Sequence, residues 1–274
     1  MEAYAASRLP ARPNLIAVAA VLLAGALVAW IVTIARMHGM DDGPGTSLGA
    51  LGWYVGIWVT MMAAMMLPSV APMVLFFAHV SRERARRGSA FVPTWIFVSG
   101  YLAVWTAYGL LAYGVYRLAS SFDGGFLDWD RGGPYIAGLA VAGAGLYELT
   151  PLKRLCLRHC RSPLHFLLSG WKSGRAGALR MGVEHGAYCV GCCWGLMVIL
   201  FALGVMSLLW MAVVAAVIFG QKVLPGANRL SVPLALAFIA FGVWVAAAPD
   251  SVPGLTQPGS APAMQMPPSD RMGP

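Results

Sequence analysis

Residues 182–197, GVEHGAYCVGCCWGLM, place three cysteines and one histidine in a segment whose other residues are mostly small or apolar. On an α-helix, with about 100° between successive residues, these four side chains share a stripe roughly 100° wide. Glycine pairs four residues apart flank the stripe, which is the spacing by which membrane helices pack closely. We therefore predict a membrane helix that presents soft metal ligands to its neighbours. The candidate ligands are His185, Cys189, Cys192 and Cys193.

The composition of the whole chain is that of a membrane protein. Of its 274 residues, 59% are hydrophobic and 11% are charged, whereas soluble domains contain about 25% charged residues. A chain of this length accommodates about seven spans of roughly 20 residues each. The predicted fold class is all-α, a polytopic membrane helix bundle with about seven transmembrane helices.

The apolar runs divide the chain into a cytoplasmic N-terminal segment (residues 1–13), a transmembrane helical bundle (14–249) and a Met/Pro-rich tail (250–274). The tail is too polar to pack, and we expect it to be disordered. The predicted spans are residues 14–35, 52–80, 91–119, 134–150, 181–203, 207–224 and 231–248. Pro68 and Pro72 predict a kink in the second span. Residues 151–181 are predicted to form a long basic loop.

The basic residues give the predicted orientation, because Lys and Arg concentrate in cytoplasmic loops. Only four of the nineteen lie on the side opposite the N-terminus, namely Arg36, Arg117, Arg131 and Arg271. We therefore expect the N-terminus to be cytoplasmic and the C-terminus outside. The same distribution accounts for the net charge of +8, so the expected partner is the lipid bilayer and not nucleic acid.

The helical geometry limits how the candidate ligands combine. His185 and Cys193 lie about 12 Å apart along the helix axis, too far apart to bind one ion. We expect one site centred on Cys189 with Cys192 or Cys193, while His185 is a second position or the point where an ion enters. A disulfide is disfavoured, since adjacent cysteines form a strained ring and cysteines four apart are poorly oriented. The alternative is that these cysteines only fill a packed core.

Methionines of the second span are predicted to complete the coordination shell. In WVTMMAAMMLPSVAPM (residues 58–73), Met62, Met65 and Met66 share a helical face with Met73. Thioether and thiolate ligands together select Cu(I) over harder ions, while zinc is a competitor because Cys and His bind it as well. The alternative is that these methionines fill gaps in the core.

Soft ligands recur on the predicted outer side of the membrane. We interpret them as low-affinity capture points for the same ion, with chance occurrence as the alternative. They are Met37, His38, Met40, Met206, Met264, Met266 and Met272.

The predicted basic loop holds Cys156 and Cys160, whose spacing puts both thiols on one face of a helix. Four flanking cations are expected to lower the pKa of both thiols. The pair is a release site, a redox pair or part of a helix on the membrane surface.

Three charged side chains near helix ends are ambiguous. Glu148 and Glu184 are functional candidates because ionisable groups in membranes are costly, or else they snorkel from the helix ends or pair with Lys153 or Arg180. Lys222 carries the same ambiguity.

Three stretches resemble the bacterial domain-of-unknown-function 2182 family: WVTMMAAMMLPS (58–69), YELTPLKRLCLRHCRSP (147–163) and HGAYCVGCCWGLM (185–197). The resemblance covers roughly residues 52–227 and implies a multi-pass protein of the bacterial inner membrane with a metal link but no established reaction. Members of that family have an acidic residue just before the lysine that corresponds to Lys222. This chain has Gln221 at that position, which argues against a proton-coupled carboxylate there. Candidate ligands within the family motifs are Met62, Met65, Met66, His185, Cys189, Cys192 and Cys193.

Three functions remain open on the sequence. The first is an integral membrane protein that handles Cu(I) by binding, transfer or transport, with a metal chaperone or metalloenzyme as partner. The second is a membrane thiol-disulfide oxidoreductase, and the third a non-catalytic subunit of a membrane complex. The sequence has no phosphate loop, serine triad or dinucleotide fingerprint, which favours a protein that is not an enzyme.

Overall fold

The computed structural model describes residues 15–37, 48–122, 129, 131–205, 207–224, 230–252 and 255. Within these residues the protein is all-α and contains no strand, which confirms the predicted fold class. The helices are α1 (Leu15–Met37), α2 (Leu51–Arg86), α3 (Thr94–Phe122), α4 (Gly133–Glu148), α5 (Pro151–Arg161), α6 (Pro163–Ser169), α7 (Gly174–Leu203), α8 (Leu208–Val223) and α9 (Ser231–Ala247).

Each of the seven predicted spans corresponds to one helix: α1 to α4 and α7 to α9. Among the described residues, four segments are long and apolar enough to cross a membrane: Leu15–Met37, Leu51–Arg86, Thr94–Ala119 and Gly174–Leu203. The helices α8 and α9 are apolar but shorter. The number of crossings and the orientation of the termini therefore stay predictions.

The prediction of a long loop at residues 151–181 is wrong. This segment contains α5, α6 and the first turns of α7. Thr150 caps α5, since its side chain accepts a hydrogen bond from the backbone N–H of Lys153, and Pro151 occupies the first turn, where its missing N–H has no helical partner to lose. The many charged residues of this segment predict a loop, whereas the structure forms α5 and buries its Cys156 and Leu157 in the bundle.

The helix α2 runs without a break past Pro68 and Pro72 and is largely buried. It is joined to α3 by two buried hydrogen bonds from aromatic side chains to backbone carbonyls. Trp58 Nε1 donates to Trp105 O at 2.8 Å, and Tyr54 Oη donates to Gly109 O at 3.0 Å.

Glycines allow α7 to approach its neighbours closely, as their spacing predicted. A Cβ on Gly182 would collide with the Phe97 carbonyl of α3, and one on Gly191 would meet the sulfur of Cys156 on α5. Gly195 packs in the same way against Tyr147 of α4. The face of α7 that carries the thiols is therefore enclosed by α3, α4, α5 and α8.

Several predictions concern the two ends of the chain and the predicted outer side of the membrane. Residues 1–13, most of the tail and the outer His38, Met40 and Met206 lie outside the described residues. Met37, which the sequence suggested as an outer capture point, is buried at the end of α1 with 1% of its surface exposed.

Candidate metal centre

Three thiols of α7 lie together in the interior of the bundle. The sulfurs of Cys189, Cys192 and Cys193 are all within 4.8 Å of one another, and Cys192 Sγ lies 3.3 Å from Cys193 Sγ. None of the three side chains is more than 1% exposed, and all are free thiols. The structure thus brings together the three cysteines that the sequence grouped, away from the surface that lipid would cover. We call them the thiol cluster.

A fourth sulfur reaches the thiol cluster from α5. Cys160 Sγ lies 3.7 Å from Cys192 Sγ, a contact between residues 32 positions apart in the chain. The sequence groups Cys160 with Cys156, as a release site, a redox pair or part of a helix on the membrane surface, and not with the thiols of α7. The helical spacing of Cys156 and Cys160 was a usable signal, but nothing in it indicated that α5 packs against α7.

Cys189 is also contacted by a cation and a hydroxyl group. Lys222 Nζ of α8 lies 2.9 Å from Cys189 Sγ, and Tyr101 Oη of α3 lies 3.0 Å from the same sulfur. Lys222 is 9% exposed, and a buried ammonium needs a counter-charge or strong acceptors. A thiolate at Cys189 would supply that charge. The sequence left the role of Lys222 open, and the structure makes it the cation of the thiol cluster.

His185 lies one turn before Cys189 and outside the compact group of three thiols. Its ring is packed among Phe97, Tyr101 and Phe166, with ring centroids 5.4 to 6.0 Å away. The side chain is 2% exposed, and its Nδ1 has no hydrogen-bond partner among the described residues. Buried polar atoms are nearly always satisfied, so this nitrogen is available to a ligand.

The methionines of α2 are all buried: Met62 and Met66 are 0% exposed and Met65 2%. Ser69 follows Met62 and Met66 on the same helical face, seven and three residues later. Because Ser69 Oγ lies 3.4 Å from Lys222 Nζ, this face of α2 is turned towards the cation that contacts Cys189. The helices α2 and α7 also meet directly through the stacked rings of Trp58 and Phe201, 5.6 Å apart.

Both ambiguous carboxylates are paired. Lys153 Nζ contacts Glu148 Oε1 and donates to Gln221 Oε1 at 3.0 Å, while Gln221 Nε2 donates to Glu148 Oε2 at 2.8 Å. This fully buried trio connects α4, α5 and α8. The other carboxylate, Glu184, pairs with Lys172 and Arg180 on the surface side of α7.

The expectation that cations lower the pKa of the α5 thiols is wrong. Burial raises the pKa of the Cys156 thiol, and the neighbouring Cys189 sulfur, together with burial, raises the pKa of Cys160. The reason is that the cationic side chains of α5 are either exposed or already paired. Arg154 and Arg158 are exposed, and the charge of Lys153 is already neutralised by its carboxylate partner.

No curated protein and no solved structure matches the chain. A family described as copper chaperones, PpoB2, matches residues 55–245, a range that contains α3 to α8 and nearly all of α2 and α9 and therefore every residue of the candidate centre. The description differs from the family name that the motifs suggested, and that resemblance stays a prediction, but both have a metal link. This chain belongs to the PpoB2 copper chaperone family.

Proposed function

We propose that the protein binds Cu(I) as cargo inside the membrane, at Cys189, Cys192 and Cys193, and passes it to a soluble metal chaperone or a metalloenzyme. The observation that carries the proposal is the thiol cluster itself, three buried free sulfurs within 4.8 Å of one another. Thiolates are ligands that select Cu(I) among the common metals. Zinc also binds such sets and remains the competing cargo.

The charges around the cluster support a monovalent cargo. Two thiolates that bind one Cu(I) carry a net charge of −1, which is costly to bury alone. The ammonium of Lys222, 2.9 Å from Cys189, neutralises this charge. The bound centre is then electrically neutral in an apolar interior.

Met62, Met65 and Met66 are the proposed thioether ligands that guide the ion to the thiols. Support comes from the contact between Ser69, on their helical face, and Lys222. His185 is the proposed point of entry, since its unpartnered Nδ1 is one helical turn from Cys189. A thioether and imidazole path holds a soft ion less tightly than thiolates do, so it favours movement towards the cluster.

The proposed location is the bacterial inner membrane, with several crossings and the N-terminus in the cytoplasm. The four long apolar helices support an integral membrane protein. The concentration of basic residues on one side supports the orientation.

The test is copper stoichiometry. Purified protein in detergent is loaded with Cu(I) under reducing, oxygen-free conditions, and bound metal is measured by elemental analysis. We expect near-stoichiometric copper in the wild type and in Cys156→Ser, a control on a thiol that packs on Gly191. Cys189→Ser with Cys193→Ser should lose it. An unchanged copper content in the double variant would refute the proposal. Zinc instead of copper in the wild-type protein would show that the cargo is zinc.

A second candidate function is a membrane thiol-disulfide oxidoreductase. It is favoured by the separation of 3.7 Å between the sulfurs of Cys160 and Cys192. In this function the two thiols form a disulfide as an external disulfide is reduced to two thiols. Alkylation followed by mass spectrometry under reducing and oxidising conditions tests it, and identical labelling in both conditions would exclude it.

A further inference from the structure

Cys160 differs from the other four cysteines in its exposure. All five are among the described residues, and Cys160 alone is partly exposed while the others are buried. It lies near the end of α5, a helix on which Arg154 and Arg158 are exposed. One sulfur therefore connects the thiol cluster with the basic side of the bundle.

The position of Cys160 is fixed by contacts at both ends of α5. At its start, Lys153 is bound to Glu148 of α4 and Gln221 of α8. At its end, the guanidinium of Arg161 donates to Leu224 O at 2.7 Å. Between them, the absence of a side chain at Gly191 lets Cys156 and the rest of α5 lie against α7. The contact between Cys160 and the cluster is thus set by the fold.

Cys192 is shared by two sulfur pairs. Its sulfur lies 3.3 Å from that of Cys193 and 3.7 Å from that of Cys160. A Cu(I) ion held by Cys192 and Cys193 can therefore gain Cys160 as a ligand before it loses Cys193. Since a third thiolate binds before the first leaves, the ion does not pass through a state with a single ligand.

We propose that Cys160 is the exchange ligand through which Cu(I) moves between the thiol cluster and an acceptor on the basic side of the membrane. The proposal rests on the proposed function and extends it with a path. The bond between copper and Cys160 Sγ forms, and the bond between copper and Cys193 Sγ breaks. The thiol proton lost by Cys160 is taken up by the departing Cys193 thiolate, and the copper remains Cu(I).

The experiment measures transfer and binding separately. Copper-loaded wild type, Cys160→Ser and Cys156→Ser are mixed with bicinchoninate, a soluble Cu(I) chelator whose complex is coloured, and transfer is followed in a stopped-flow spectrometer. We expect all three proteins to hold equal copper. Transfer from Cys160→Ser should be slower by about 10- to 100-fold, the usual effect of removing a group that supports a metal site. The Cys156→Ser control, changed one turn earlier on the same helix, should transfer at the wild-type rate.

Two results would overturn the proposal: a Cys160→Ser rate equal to that of Cys156→Ser, or a loss of bound copper in Cys160→Ser, which would make Cys160 a permanent ligand. A wild type that binds no copper would instead refute the proposed function, so the two failures are distinguishable.

A measurement on the unaltered protein covers the case in which the variant does not fold. A charged maleimide is added with and without bound Cu(I), and labelled peptides are identified by mass spectrometry. Because the ion exchanges between Cys193 and Cys160, bound copper should slow the labelling of Cys160 without abolishing it, and an equal labelling rate in both states would contradict the exchange role.

Discussion

Replacing Lys222 by Met tests whether the ammonium neutralises the copper-thiolate centre. In the wild type, Lys222 Nζ lies 2.9 Å from Cys189 Sγ and is almost fully buried. Met has a similar length and no charge, so the variant fills the same space. It leaves the negative charge of a bound Cu(I) bis-thiolate without a counter-charge, and Cu(I) affinity should fall.

The size of the effect follows from the geometry. Two unit charges about 4 Å apart at an effective dielectric constant of about 20 attract by about 4 kcal/mol. The sulfurs of Cys192 and Cys193 lie within 4.8 Å of Cys189 Sγ and therefore up to about 8 Å from Lys222 Nζ, a separation at which the same attraction is about 2 kcal/mol. That energy corresponds to a decrease in affinity of about 30-fold.

The assay is competition for Cu(I) with a chelator of known affinity, on detergent-purified protein. Lys222→Arg keeps the charge and should recover most of the affinity. Lys172→Met removes a cation that pairs with Glu184 and should bind Cu(I) like the wild type. The free energy of unfolding of the copper-free protein is not expected to fall in Lys222→Met. Cys189 can remain protonated in this variant, and replacing both charges of a buried pair by uncharged groups is often neutral. A correctly folded Lys222→Met protein with wild-type affinity would refute the reasoning.

Two further predictions concern the methionine face and the buried ion pair. Met65→Leu with Met66→Leu conserves volume and should cost less than about 1.5 kcal/mol of stability. It should lower Cu(I) affinity by about tenfold in the same competition assay, and unchanged affinity would mean that the thioethers only fill space. Glu148→Leu leaves the Lys153 ammonium buried without its carboxylate and should lower the free energy of unfolding by about 3–5 kcal/mol, measured by denaturation in detergent. The exposed pair of Glu83 serves as the control, since Glu83→Gln should change stability by about 0–1 kcal/mol, and equal losses in the two variants would contradict the argument.

The sequence by itself determined the fold class and which side chains share one face of α7. A scarcity of charged residues predicts an all-helical membrane bundle, and each apolar run became a helix within a few residues of its predicted ends, apart from the early start of α7 at Gly174 and the late end of α2 at Arg86. A period of 3.6 residues per turn places Cys189 and Cys193 on one face whatever the helix touches. Gly182 and Gly191 likewise predicted closely packed neighbouring helices. Each has a second glycine four residues later, and two glycines at this spacing leave room for the backbone of another helix.

Only the tertiary structure decided what covers that face. Cys160 and Lys222 meet the thiols from 32 and 33 residues away, and their own surroundings in the sequence, a basic segment and a helix end, contain no sign of this contact. The helix α5 forms and takes its place because it packs on Gly191 and because Lys153 finds its partners on two other helices. Local periodicity specifies which side chains share a face, whereas the partner of that face depends on steric fit and charge pairing between segments distant in the chain.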